Sequence, residues 1–122
     1  MLVKLNKLAN TLHHNFNEFE KRARAEARAA IKAGDIARWR EITKKRRAAG
    51  DAANDILDLL ENEAMSTTVQ KDIAVALEKS TAEARDLVSK MKKAEKVLDT
   101  VAKFANLLTG ILGTVRAIAG VS

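Results

Sequence analysis

The chain has 122 residues and a mass of 13.3 kDa, the length of one domain able to bury a core without a disulfide or metal. With no Cys, no Pro, no Tyr and five Gly, it is no disulfide scaffold, collagen-like chain or Pro-rich segment, and it lacks the turn residues of an all-β domain. The net charge of +6 is concentrated, not spread, which directs attention to an electrostatic contact surface.

The first predicted element covers residues 1–33. Leu5, Leu8, Leu12, Phe16, Phe19, Ala23, Ala27 and Ala30 recur at steps of three and four, a helical period. Asn10, Thr11, His13, His14, Asn15 and Asn17 are weak helix formers, so a break near 10–17 is the alternative. Gly34-Asp35 then supplies a left-handed stop and an N-cap. The second helix, over 35–65, carries the stripe Ile36, Trp39, Thr43, Ala49, Ala53, Ile56, Leu60 and Ala64. Its phase survives Gly50-Asp51, so the helix is expected to continue there.

Ser66-Thr67-Thr68 caps a third helix over 67–121. From Ala84 to Ala119 its stripe alternates steps of three and four for five heptads. That pattern favours one continuous helix, with a break near 99 or 110 as the alternative; Asp99-Thr100 is the cap a fourth helix would use. The expected fold is therefore all-α, one domain over 1–122. It is a long antiparallel hairpin or bundle of three to four helices with a heptad-patterned C-terminal helix.

Residues 97–121 are apolar on more than one face, through Leu98, Val101, Phe104, Leu108, Ile111, Leu112 and Val115. Ala105, Thr109, Gly113 and Ala117 form a ridge of small residues at spacing four, which lets two helix backbones approach closely. Asp99, Lys103 and Arg116 leave twelve uncharged residues in a row, short of the roughly 20 of a permanent span. Burial within an oligomer is the expectation, and triggered membrane insertion the alternative.

The basic excess lies in residues 21–47. Eleven cations (Lys21, Arg22, Arg24, Arg28, Lys32, Arg38, Arg40, Lys44, Lys45, Arg46 and Arg47) face three anions, Glu26, Asp35 and Glu41. Folded about Gly34, both arms bring these cations within about 20 Å of the turn. Trp39 lies on the apolar stripe, and core packing is its expected role.

No catalytic, metal-binding or cofactor-binding motif is present. His13 and His14 point about 100° apart on a helix, and there is no HExxH, GxSxG, P-loop or Gly-rich dinucleotide turn. Trp39 is followed by Arg40-Glu41, so there is no Trp-x-Gly signature. No enzyme and no cofactor are expected. The expected function is helix–helix association, as an oligomer or adaptor, with an acidic protein, anionic lipid or nucleic acid at the basic hairpin. A membrane-active, pore-forming effector is the alternative, and nucleic-acid binding through 21–47 a further one. The first twelve residues carry Lys4 and Lys7 in their apolar part, unlike a cleaved signal peptide. The expected location is the cytoplasm, or outside by a route without a cleaved signal.

Overall fold

A computed structural model describes residues 2–61, 65–91 and 97–120. They form four helices: α1 (Val3–Lys32), α2 (Ile36–Leu60), α3 (Thr67–Met91) and α4 (Val97–Ala119). There is no strand among the described residues. The all-α bundle therefore stands.

Each helix begins or ends for a local reason. Gly34 sits at φ +74°, the left-handed conformation that stops α1. Asp35 caps α2, its Oδ1 accepting the Arg38 N–H at 3.1 Å. Ser66 caps α3 in the same way, its Oγ accepting the Val69 N–H at 3.2 Å. α1 runs unbroken through 10–17, so tertiary packing overrides the weak propensity there. Asn15 is buried and donates its Nδ2 to the Thr81 carbonyl of α3 at 3.3 Å. α2 runs unbroken through Gly50, beside the Phe16 ring.

The helices occupy the corners of a square in the order α1, α2, α4, α3. α1 and α3 run parallel, since Leu2 N–H donates to Gln70 Oε1 at 2.8 Å at their starts and Asn15 meets Thr81 further along. α2 and α4 lie side by side, tied by Arg116 to Asp55 at 3.6 Å. α2 and α3, successive in the chain, make no packing contact among the described residues and stand on opposite corners. Across the other diagonal, Phe19 of α1 stacks on Phe104 of α4, with centroids 4.1 Å apart and planes 9° from parallel. Both rings are inaccessible to solvent.

The expectation of one helix over 67–121 is corrected. α3 ends at Met91, and a new helix starts at Val97 and packs back against α3 and α2. The expected breaks near 99 and 110 are not where the division falls, because α4 is continuous through both; Ala94 of the stripe lies outside the described residues. The physical reason is burial. Val97, Thr100, Val101, Phe104, Ala105, Leu108, Ile111, Leu112 and Val115 are all buried in α4, and a projecting helix would leave them in water. Each full-sized apolar side chain withdrawn from water contributes about 1.5–3 kcal/mol.

The core is uneven along its length. Large side chains fill the middle and the Leu5/Leu60 end, whereas the α1–α2 seam toward the Gly34 turn is built from Ala23, Ala27, Ala30 and Ala49, with Ile42. Small residues let these two helices approach closely but withdraw little apolar area each.

Candidate functional site

The cations of 21–47 lie on α1 and α2 to either side of the Gly34 turn, and they are not equivalent. Three are paired. Arg24 and Arg46, from different helices, both reach Glu20, at 3.0 and 3.3 Å, and Arg38 reaches Glu26 at 3.7 Å. Glu20 lies one residue outside the basic window, so counting charge within the window overlooks the anion that ties the two arms together. Arg22 is half-buried, with its Nε shielded and without a hydrogen-bond partner among the described residues; it is not part of the open surface. Lys21, Arg28, Lys32, Arg40, Lys44 and Arg47 are exposed and make no ion pair among the described residues, and Lys45 is half-exposed and likewise unpaired.

Trp39 is the hub of this surface. It is half-buried, with part of its ring against the core and the rest in two grooves. One groove, of about 520 Å³, runs between α1 and α2 and is lined by Arg24, Arg28, Ile31, Lys32, Trp39 and Arg46. The other, of about 400 Å³, lies along α2 and is lined by Arg40, Thr43, Lys44, Arg47 and Asp51 beside Trp39. The expectation of a core tryptophan is met for one side of the ring only. Ile36, expected on the same core stripe, is 47% exposed, and Ile31 across the turn is 45% exposed. The buried face of α2 instead begins at Ile42. A cue was present in the sequence: Ile36 and Trp39 sit where α2 flanks only the end of α1, beyond most of the core.

The charges on α2 oppose its own macrodipole. Its first three turns carry Arg38, Arg40, Lys44, Lys45, Arg46 and Arg47 against Glu41, and its last turns carry Asp51, Asp55 and Asp58 with no cation. The dipole acts on charges in the terminal turns, where Arg38 and Asp58 each sit at the unfavourable end, at a cost of about 0.3–1 kcal/mol at low ionic strength. The arrangement does not serve the stability of this helix.

The small-residue ridge of α4 is divided by the fold. Ala105 is buried, but Thr109, Gly113 and Ala117 face outward, and a Cβ added at Gly113 would meet nothing within 4 Å. Asn106, Gly110 and Thr114 widen the strip. The hydroxyls of Thr109 and Thr114 donate to the Ala105 and Gly110 carbonyls at 3.0 Å each, so the strip carries no charge and its two threonine hydroxyls are satisfied within the helix. The large apolar residues Leu98, Val101, Phe104, Leu108, Ile111, Leu112 and Val115 pack inward instead. α4 is the one described helix long and apolar enough to cross a membrane.

Among the described residues, no group of three or more His, Asp or Glu is placed to hold a metal ion. The chain matches no family model, no curated protein and no solved structure.

Proposed function

We propose that the protein is a non-enzymatic helical adaptor whose Gly34 end docks a polyanionic partner. One observation carries this reading. Five exposed cations without ion-pair partners among the described residues, Arg28, Lys32, Arg40, Lys44 and Arg47, surround a half-exposed tryptophan at one end of the bundle. A cluster of this kind attracts polyanions over about a Debye length and loses its hold as salt rises. The outward strip Thr109, Gly113 and Ala117 is where a second helix would pack, making the adaptor part of an oligomer.

Heparin, a polyanion without sequence or shape requirements, is the probe. The parent should bind it at low salt and release it by about 0.5 M salt. Arg40→Glu with Arg47→Glu should cut retention sharply, and Lys71→Glu, at the far end of the bundle, should not. Equal loss from both variants would reduce the effect to net charge and reject a localised site.

A second reading, insertion of α4 into a membrane, has its own observation. The helix is of spanning length, carries no charge from 104 to 115, and already presents an uncharged outer strip. Insertion requires the bundle to open, because nine α4 residues are packed inside it. Leakage of dye-loaded vesicles tests this reading; intact vesicles under all conditions reject it.

A further inference from the structure

We infer that the polyanion met by the Gly34 end is the surface of an anionic lipid bilayer, with the turn itself entering the headgroup region; this rests on the polyanion-docking reading above. The chemistry of the turn favours lipid over nucleic acid. The segment from Ile31 to Ala37 is exposed throughout, and two of its residues, Ile31 and Ile36, are large aliphatics nearly half exposed on either side of Gly34. A phosphodiester backbone has no use for them. In the boundary between headgroups and acyl chains they leave water, which drives interfacial binding.

The surroundings fit the same depth profile. Trp39 lies one turn of helix behind Ile36 with its ring half-open to the groove, the level at which an amphipathic indole sits at an interface. Arg28, Lys32 and Arg40 flank the apolar turn, with Lys44 and Arg47 a turn or two further back. Each cation brought near an anionic membrane surface strengthens partitioning about fivefold. Asp35 is the one anion in the turn segment, and it is held as the α2 cap. No membrane span is required: the helices stay packed and only the turn is immersed.

The chain's single tryptophan makes the test direct. Trp39 fluorescence is titrated with phosphatidylcholine vesicles, with or without 30% phosphatidylserine, and with brominated acyl chains as depth quenchers. Vesicles containing phosphatidylserine should quench Trp39, pure phosphatidylcholine should not, and high salt should reverse the effect. Arg28→Glu with Lys32→Glu should weaken partitioning more than tenfold. Ile36→Asn, outside both grooves, should weaken vesicle binding about threefold while leaving heparin binding unchanged, with circular dichroism confirming that both variants keep the fold. Vesicle binding indifferent to the isoleucine change overturns the inference. So does a protein that ignores anionic vesicles yet binds heparin or a 20-base-pair DNA duplex, an outcome that leaves the polyanion-docking reading standing. A protein that binds none of the three overturns both.

Discussion

Two double charge reversals that look alike in sequence should have opposite effects on stability. Arg46 and Arg47 are neighbours, but Arg46 is about one-quarter exposed and sits 3.3 Å from Glu20, which also holds Arg24. Arg47 and Arg40 are exposed and unpaired among the described residues. In Arg46→Glu with Arg47→Glu, a carboxylate replaces the guanidinium beside Glu20. The variant loses an inter-helix pair, worth at most about 1 kcal/mol after screening, and gains a like-charge contact of similar size. The relief of repulsion at position 47 only partly offsets this, so the net cost is about 1–2 kcal/mol. In Arg40→Glu with Arg47→Glu, two exposed cations become anions one turn from Lys44 on either side, which replaces like-charge neighbours by opposite ones. The expected gain is about 0.5–1 kcal/mol. Two kcal/mol between the variants corresponds to roughly 6–10 °C in Tm for a domain of this size. Thermal unfolding followed at 222 nm in low salt measures it, and 0.5 M salt should shrink the gap. Equal Tm values in low salt would mean that Glu20 does not bind the two arms, and the account of the basic end would have to be rebuilt.

The other predictions concern the core and the outer strip. Phe104→Ala removes one ring of the Phe19 stack from a fully buried site and should cost about 3–5 kcal/mol in urea unfolding, whereas half-buried Leu107→Ala should cost under about 2. Thr81→Val replaces a buried hydroxyl that has no hydrogen-bond partner among the described residues with a methyl of the same shape, and should raise stability by about 1 kcal/mol. In Gly113→Ile the added Cβ meets nothing within 4 Å on an exposed face and a helix-weakening glycine is removed, so the fold should be kept or slightly stabilised. Its sedimentation should nevertheless shift toward the monomer if the outer strip of α4 is where copies meet; unchanged sedimentation rejects the strip as that interface.

The helices, the Gly34-Asp35 turn and the Ser66 cap were legible because each depends on a few adjacent residues. The finer assignment of faces was not. In α1 the sequence offers Leu8 and Phe16 as core, but both are half-buried, and Ala9 and Asn15 take the inward positions. In α3 the stripe read from the sequence, Val69, Ile73, Ala76, Ser80, Ala84, Leu87 and Met91, is buried at Ile73, Ala84 and Met91, but Leu77, Thr81 and Val88 take the inward positions where Ala76, Ser80 and Leu87 are half-buried. Apolar size misleads here because a helix at a bundle corner is covered on two sides, so its covered arc is wider than one stripe. The division between α3 and α4 was hidden for a related reason. A three-four alternation passes through residues 84–119 without a missed step, yet periodicity carries no information about whether successive turns belong to one axis. What divides the chain is the amount of apolar side chain in α4, which only three neighbouring helices can cover.

The same geometry weighs against treating the basic end as a merely solvated face. A face that serves solubility needs one row of charges, and successive residues on a helix are 100° apart. Lys44, Lys45, Arg46 and Arg47 therefore point to nearly every side of α2, including the side toward α1, where only Glu20 makes Arg46 tolerable. Glu41 precedes Lys45 by four residues, the spacing of a helix ion pair, yet the two make none among the described residues. Moving the cations of α2 to its C-terminal half and the anions to its N-terminal half would keep solubility and net charge and would suit the helix dipole. The sequence has the reverse order, and it places the excess beside exposed Ile31 and Ile36 and the chain's one tryptophan. Solubility favours neither choice; both follow if this end of the bundle has an anionic surface to meet.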